Sequence, residues 1–322
     1  DLLRPILEKS FALATAGTID FADQLYMPVV CSAHFARFPT VVCDEAQDIS
    51  PIQHEILQRS LAYKAALVTV GDTHQAIYAF RGADSRSMAS LRTRFPGTTL
   101  PLSVSYRCPI AIIEHVQQWV PDILAAPTAI DGIVEFLDTD WTLADIPFGS
   151  FILCRNNAPL LGVAIQALTT GTPFSLSSRD IGGQLTGLLK KLAPRPTSTT
   201  TFLSALSAHS AREVARRPRS QAYWSDITDC FTVLSQSAND TARLQHNLDA
   251  IFKAPPSARL TLSTIHKAKG LESDNVFILN RGLFGRFAKT EEDKQQEINL
   301  QYVAATRARR RLAYIELQQK EA

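Results

Sequence analysis

The chain has 322 residues, of which 45% are hydrophobic, and this is enough apolar material for two or three globular units. Its 33 basic and 31 acidic residues leave a formal net charge of only +2, so any nucleic-acid surface must be local. The five cysteines are scattered without a C-x-x-C pair, which argues against a zinc site or a disulfide framework. With no signal peptide and no apolar run near the roughly 18 residues of a membrane span, we expect a cytoplasmic protein without membrane partners.

Helices are predicted around the first apolar strand of the sequence. Residues 2–14 place apolar side chains at helical spacing, which is typical of an amphipathic helix. Asp20 is a candidate N-cap for a second helix, and Pro51 is placed to open a third.

The apolar run at residues 40–43 ends in three acids within five residues, Asp44, Glu45 and Asp48. We interpret this run as a buried parallel strand whose carboxyl end reaches the crevice where open α/β sheets bind ligands. These acids suit nucleotide hydrolysis: Asp44 would hold Mg²⁺, and Glu45 would orient and deprotonate the attacking water. The alternative for the acid pair alone is a strand end with solvated side chains.

A second apolar run, residues 65–70, ends in the polar stretch Gly71-Asp72-Thr73-His74-Gln75. Two such strands close together in the sequence predict neighbours in one parallel sheet. Gln75 would then sense a terminal phosphate or the attacking water. The alternative is an ordinary polar loop between a strand and a helix.

Aromatic side chains and an arginine follow directly, at Tyr78, Phe80 and Arg81. Such a group can form a stacking platform for single-stranded bases, worth roughly 1–3 kcal/mol per base. The alternative is that both aromatics belong to the core, which is the commoner location of such residues.

The second half of the chain begins with an extended segment at 100–109, a helix from Pro109 and a strand at 151–154. Residues 171–256 predict a mostly helical insertion, whose basic patch at Arg212, Arg216, Arg217 and Arg219 fits a solvated face better than a DNA site. Gly182 and Gly187 have the spacing of a phosphate-binding loop, but leucines stand where Lys and Ser/Thr are required.

Strands are predicted at 259–264, 275–279 and 312–315, with a helix over 299–309 before the last of them. The run from Arg307 to Arg311 is the densest local charge in the chain. Its structural alternative is the solvated end of that helix.

Seven stretches, taken together and in order, resemble the UvrD/Rep-like superfamily 1 DNA helicases. They are DFAD (20–23), VCDEAQD (42–48), VGDTHQAIYAFRGA (70–83), SYR (105–107), RNN (155–157), TIHKAKGLE (264–272) and YVAATRA (302–308). The resemblance covers both ends of the chain and leaves 171–256 unmatched.

The resemblance implies ATP and Mg²⁺ as cofactors and gives each site residue a role. The expected catalytic residues are Asp44 (also the metal ligand), Glu45, Gln75 and two arginine fingers, Arg107 and Arg307. Glu272 matches the position that contacts the nucleotide sugar, with Lys269 and Gly270 beside it in the nucleotide-binding set. The expected DNA-facing residues are Tyr78, Phe80, Arg81, Thr264 and His266. Because Phe80 stands where the family more often has Trp, stacking there should be weaker.

The expected fold is α/β, with two RecA-like parallel-sheet domains, the first incomplete, and a small helical insertion in the second. The predicted boundaries are 1–104 for the first domain, 105–170 and 257–322 for the two parts of the second, and 171–256 for the insertion. The third motif, with Ile-Tyr-Ala-Phe-Arg-Gly after Gln75, implies 3′-to-5′ movement on single-stranded DNA. Single/double-strand junctions are the other expected partner, in the cytoplasm or at the nucleoid.

Two departures from the family qualify this interpretation. The sequence has no Gly-rich loop ending in Gly-Lys-Ser/Thr, so we expect a fragment whose first domain lacks its N-terminal part. The insertion is much shorter than the accessory domain usual in the family, which favours translocation over strand separation. Two alternatives stay open: a catalytically silent DNA-binding or scaffold module, and the motor part of a helicase–nuclease.

Overall fold

The computed structural model describes residues 3–78, 86–177, 179–253 and 259–317. The chain forms two compact units, Asp1–Pro101 and Leu102–Ala322. Within the described ranges, no helix has both the length and the apolar character needed to cross a membrane.

The first unit consists of helices beside a two-stranded parallel sheet. Its helices are α1 (Leu3–Thr15), α2 (Phe21–Val30), α3 (Pro51–Arg59) and α4 (Ser87–Arg94), and its strands are β1 (Phe38–Cys43) and β2 (Leu61–Thr69). Helix α2 begins at the predicted cap: the Asp20 carboxylate accepts the Asp23 N–H at 2.8 Å, and Asp23 accepts the Asp20 N–H at 3.0 Å. This reciprocal pair satisfies two N–H groups that the first turn leaves without helical partners.

The predicted parallel pairing of the first two strands is present, but the predicted burial of the first strand is wrong. Val42 of β1 faces Val68 of β2 in the register, and these side chains are 66% and 48% exposed. Burial of a parallel strand requires layers packed on both faces of its sheet. In the part of the unit that is described, the sheet has two strands only, and these valines remain open to solvent.

The second unit is built on a larger parallel sheet. Its strands are β3 (Val104–Ser105), β4 (Leu124–Ala125), β5 (Ile133–Asp138), β6 (Ser150–Cys154), β7 (Ser175–Leu176), β8 (Leu260–Thr264), β9 (Ser273–Leu279) and β10 (Ala308–Ile315). Its helices are α5 (Ile110–Val116), α6 (Asn157–Thr170), α7 (Arg179–Leu192), α8 (Thr199–Arg216), α9 (Gln221–Ser235), α10 (Thr241–Phe252), α11 (Ile265–Ala268) and α12 (Glu291–Ala305). Over the described ranges, six strands form one sheet in the order β5-β10-β9-β6-β8-β7, and β3 pairs with β4 separately.

One apolar core joins the helices α7–α10 to the sheet of the second unit. Buried residues of β6, α6 and β8 cluster with those of the four helices, and the Phe202 and Phe231 rings meet edge to face with centroids 4.8 Å apart. Helix α7 contains Gly182 and Gly187, so the glycines with phosphate-loop spacing are helical. The arginines of the basic patch, Arg212 to Arg219, are exposed. The assignment of 171–256 to an accessory insertion stays a prediction.

The predicted helix over 299–309 ends too late. Helix α12 stops at Ala305, and β10 begins at Ala308 rather than Leu312. The Thr306 hydroxyl donates to the Tyr302 carbonyl at 2.9 Å and closes the last turn, after which Ala308 pairs with Ser273 of β9. Strand pairing with β9 therefore prevails over the helix propensity of the Ala- and Arg-rich sequence, and the arginine run lies on a strand.

Candidate functional site

The acids predicted at the tip of the first unit lie together at one edge of its sheet. Asp44 and Glu45 follow β1, and Asp72 and Gln75 follow β2, whose carboxyl end lies at the same edge because the strands are parallel. Asp44 and Glu45 are exposed, and Glu45 adopts a left-handed backbone with φ 51°. A strained backbone of this kind is commonly retained where it directs a functional side chain.

A buried glutamine, Gln47, connects these two strand ends. Its amide Nε2 donates to Glu45 Oε2 at 2.5 Å, and its Oε1 accepts the Asp72 N–H at 3.0 Å. Asp72 Oδ2 in turn accepts from Gln75 Nε2 at 2.9 Å. A Cβ on Gly71 would lie 2.5 Å from Gln47 Oε1, so this close approach requires glycine. Glu45 and Gln75, the predicted base and phosphate sensor, are therefore joined by one chain of hydrogen bonds.

The donor set at Asp44 fits a magnesium ion. Its Oδ1 accepts the Glu45 N–H at 2.8 Å, and the side chain is exposed. Mg²⁺ prefers oxygen ligands, keeps several waters and is usually bound by one or two carboxylates together with substrate phosphates. An accessible carboxylate at a strand end meets that requirement.

In the second unit, three residues from distant parts of the sequence lie in one cluster: Arg107, Glu272 and Arg307. Arg107 Nε contacts Glu272 Oε2 at 2.9 Å. Cys108 Sγ lies 3.7 Å from the Thr306 carbonyl oxygen, which ties the loop after β3 to the end of α12. Burial, opposed by the nearby Arg107 and Arg307 guanidinia, raises the pKa of the Cys108 thiol.

The two predicted arginine fingers differ in exposure. The Arg107 side chain is 44% exposed, whereas Arg307 is 2% exposed. Arg307 donates to the carbonyls of Val303 at 3.0 Å and Leu271 at 3.3 Å, and to the Thr306 hydroxyl. Burial, and secondarily the like charge of Arg107, lower the pKa of Arg307. Among the described residues no carboxylate pairs with this guanidinium at ion-pair distance, so neutral oxygens surround a buried positive charge.

An open pocket of about 470 Å³ lies beside this cluster. Its lining includes Tyr106, Arg107, Cys108, Thr128, Asp274 and Arg309. The Tyr106 side chain is 83% exposed, next to a guanidinium in the sequence. An accessible aromatic face beside positive charge suits a planar, negatively charged ligand.

The remaining residues of the predicted nucleotide-binding set follow β8. Lys269 is half-buried, and Gly270 is exposed with φ +83°, a left-handed conformation that favours glycine. This turn leads to Glu272, the residue before β9, so the three residues occupy one loop.

The predicted DNA-facing residues are only partly described. Tyr78 and His266 are half-buried, and Thr264, at the end of β8, is 9% exposed. Phe80 and Arg81 lie outside the described residues. Thr264 therefore offers little surface in this structure, and the DNA-facing role of all five residues stays a prediction.

Sequence reasoning missed the residues that hold the predicted ones in place. Gln47 lies within the second motif, where an amide two residues from a carboxylate was the available signal. Arg309 contacts Glu272 and Asp274, and its only signal was the arginine run, whose alternative reading was a solvated helix end. The roles of Gln47 and Arg309 depend on contacts between neighbouring strands, and residue spacing in the sequence does not specify these contacts.

Two family models match the chain: the UvrD/REP helicase N-terminal domain over residues 12–96 and the UvrD-like helicase C-terminal domain over residues 228–319. With the parallel sheets of both units, these matches assign the chain to the class of proteins built on RecA-like α/β domains. Within that class, the chain belongs to the UvrD/Rep-like family of superfamily 1, which confirms the resemblance carried by the seven motifs.

Several named proteins resemble the chain over long stretches. F-box DNA helicase protein 1 of Schizosaccharomyces pombe is 26% identical over 312 residues, covering 86% of this chain and 34% of that protein. ATP-dependent DNA helicase UvrD2 of Mycobacterium tuberculosis H37Rv is 24% identical over 343 residues, covering 86% and 47%. RecBCD enzyme subunit RecB of the same strain is 35% identical over 231 residues, covering 66% and 20%. The chain thus spans less than half the length of each of these relatives.

Proposed function

We propose that the protein carrying this chain is an ATP- and Mg²⁺-dependent DNA helicase that moves 3′ to 5′ along single-stranded DNA. The observation that best supports this is the cluster of the second unit, where Arg107, Arg307 and Glu272 lie together although they come from distant parts of the sequence. A buried guanidinium surrounded by neutral oxygens, next to an accessible one, is suited to the charge of a transferring phosphoryl group.

The residues of the two units would divide the chemistry of hydrolysis. Glu45 would accept the proton of the attacking water, and Gln75 would contact the terminal phosphate. Magnesium held by Asp44 would neutralise phosphate charge when bound. Arg107 and Arg307 would act as arginine fingers, a contribution worth about 10³–10⁵ in rate. Because Arg307 is buried, a direct contact with phosphate requires a local rearrangement that uncovers its guanidinium.

Hydrolysis would be coupled to movement through closure and reopening of the two domains. On the DNA side, Tyr78 and Phe80 would stack on bases, and Arg81, Thr264 and His266 would contact the strand. The third motif, with its Ile-Tyr-Ala-Phe-Arg-Gly continuation, supports the 3′-to-5′ direction by family resemblance.

The test uses the full-length protein on duplexes with a single-stranded tail at either the 3′ or the 5′ end. We expect single-stranded DNA to stimulate ATP hydrolysis and the 3′-tailed duplex alone to be unwound. DNA binding without any ATP hydrolysis would instead identify a silent scaffold module. Hydrolysis with equal unwinding of both duplexes would contradict the direction and leave the ATPase assignment standing.

A second candidate is a motor portion within a subunit of a larger enzyme. It is favoured by the similarity to RecBCD enzyme subunit RecB, which has the highest identity of the three relatives above. Purification of the full-length protein from its own source, followed by mass measurement in solution, distinguishes a stable complex from a free helicase.

A further inference from the structure

The Glu272 carboxylate has a different arginine at each oxygen. Arg107 Nε lies 2.9 Å from Oε2, and Arg309 Nη1 lies 3.2 Å from Oε1. The side chains of these three residues are 39–47% exposed. Ion pairs of such exposure are individually weak, so either arginine can exchange the Glu272 carboxylate for another anion without a large loss.

The two arginines are not equivalent, because Arg309 has a second anchor. Its Nη2 contacts Asp274 Oδ1 at 3.0 Å. Asp274 lies on β9, the strand that pairs with β10. Asp274 is two residues from Glu272, so the two carboxylates project from the same side of the extended chain. Arg309 therefore bridges them, whereas Arg107 comes from the loop after β3.

An irregularity in strand pairing places Arg309 at this position. Ala308 pairs with Ser273 and Arg311 pairs with Asn275, so three steps along β10 match two steps along β9. An extra residue of this kind redirects side chains and is common next to active sites. It allows Arg309 and Arg310 to face Asp274 together, with Arg310 Nε 3.5 Å from Asp274 Oδ2.

We propose that Arg309, anchored by Asp274, is a positioning residue that holds Glu272 toward the nucleotide sugar while Arg107 leaves Glu272 for a phosphate. This inference rests on the proposed function, in which Arg107 contacts phosphate, and on the sugar-contacting role that the family resemblance implies for Glu272. When Arg107 departs, Glu272 loses its partner at Oε2. Arg309 remains at Oε1, because its contact with Asp274 holds its guanidinium in place. The free Oε2 then faces the site that Arg107 has left, ready to accept a hydroxyl.

The test compares ATP with 2′,3′-dideoxy-ATP, which lacks both sugar hydroxyls, in the DNA-stimulated ATPase of the full-length protein. In the wild type we expect the dideoxy analogue to have a KM higher by on the order of tenfold, the effect of losing a hydrogen bond to a charged group. In Arg309→Ala the ratio of the two KM values should fall to within about twofold of one, with kcat for ATP changed by no more than about twofold. A merely structural role would lower kcat for both nucleotides and leave the ratio intact.

Three further variants make the test specific. Arg309→Lys should restore part of the KM ratio, because it returns a cation to the Glu272 carboxylate. Asp274→Asn removes the negative charge of the anchor and should lower the ratio less than Arg309→Ala does. Arg310→Ala removes an equal charge one residue away without contacting Glu272, and should keep the wild-type ratio. If Arg309→Ala does not fold, the KM ratios of Arg309→Lys and Asp274→Asn are compared with that of the wild type instead.

The outcomes separate this inference from the function on which it rests. Full sugar discrimination in a folded Arg309→Ala variant overturns the positioning role. Wild-type hydrolysis of ATP without sugar discrimination also overturns it, while leaving the ATPase assignment intact. Absence of any ATPase in the wild type contradicts the proposed function and removes the basis of the inference.

Discussion

The two candidate sites are supported in different ways. In the first unit, Glu45, Gln47, Asp72 and Gln75 lie near two neighbouring strand ends and are joined by their own hydrogen bonds. Glu45 is exposed, and Gln47 is buried. In the second unit, Arg107 and Glu272 lie beside Arg307, which is buried and hydrogen-bonded to the backbone of α12 and of the loop before β9. One site is held by local hydrogen bonds beside exposed carboxylates, and the other is continuous with a packed interior.

This difference predicts how each site responds to mutation. Substituting an exposed residue at the tip of β1 removes chemistry and leaves the fold intact, because few contacts depend on it. Substituting Arg307 removes chemistry and structure together, since its hydrogen bonds link α12 to the loop before β9. Activity and stability should therefore separate in the first unit and fall together in the second.

The largest expected effect is that of Arg307→Ala. We expect DNA-stimulated ATPase of the full-length protein to fall by about 10³–10⁵, the contribution of an arginine finger. The thermal midpoint should fall as well, because the carbonyls of Val303 and Leu271 lose a donor. Arg212→Ala, on the exposed face of α8, is the control and should match the wild type in both measurements. Undiminished turnover in Arg307→Ala would refute the finger assignment.

Glu45→Gln should lower kcat by about 10²–10⁴, the usual contribution of a general base. The glutamine keeps the size of the side chain and an oxygen that can accept from Gln47 Nε2. We therefore expect an unchanged thermal midpoint and retained nucleotide binding, measured by scanning calorimetry and titration calorimetry. Glu8→Gln, on exposed helix α1, serves as the control. A stability loss like that of Arg307→Ala would contradict the contrast between the units.

Core and sheet substitutions test the same contrast without reference to activity. Phe231→Ala, at a fully buried position, should lower the free energy of unfolding by about 3–5 kcal/mol. Val42→Ala, at a position 66% exposed on β1, should change it by less than about 0.5 kcal/mol. All three tryptophans, Trp119, Trp141 and Trp224, lie in the second unit, so their fluorescence follows that unit alone and circular dichroism follows both. If Val42→Ala lowered the free energy of unfolding as much as Phe231→Ala does, β1 would be buried in solution.

Elements with a local signal could be predicted from the sequence. The Asp20 cap, the parallel pairing of β1 with β2 and the start of β8 near residue 259 follow from patterns within a few residues. The end of α12 could not be predicted, because the pairing of Ala308 with Ser273 competes with a helix-favouring sequence. Burial of β1 was predicted wrongly for a similar reason: an apolar run shows what a strand could bury, and only the neighbouring layers determine what it does bury.

The same distinction between local sequence signals and contacts with distant elements applies to the candidate site. Asp44, Glu45, Arg107, Glu272 and Arg307 were identified from motifs, and their roles stay predictions. The contacts of Gln47 with Asp72 and of Arg309 with Glu272 involve neighbouring strands, and no spacing in the sequence encodes them. The residues that position a site are therefore harder to predict than the residues that perform its chemistry.

The smallest expected effect concerns pH and again separates the units. In the second unit, His115 Nε2 lies 2.7 Å from the Tyr314 hydroxyl, and burial, with a smaller effect of Arg281, lowers the pKa of His115 below its ordinary 6.5. Protonation therefore favours the unfolded chain: the stabilising contribution is complete above about pH 6.5 and is lost as the pH falls through the lowered folded pKa. We expect tryptophan-monitored urea unfolding to show a steeper loss of stability from pH 7.5 to 5.5 in the wild type than in His115→Gln.

The matched control for this pH effect is His34→Gln, an exposed position in the first unit, which should keep the wild-type pH dependence. The imidazole of His115 is only one of several titrating groups, so the comparison rests on the difference between the two variants and not on the absolute slope. If His115→Gln and His34→Gln lose stability in parallel with the wild type, the half-buried imidazole is not held neutral by the second unit. The surroundings of His115 would then be less closely packed than its contacts with Tyr314 and Trp119 indicate, and the contrast between exposed strand-end acids in the first unit and packed side chains in the second would weaken at this edge of the sheet.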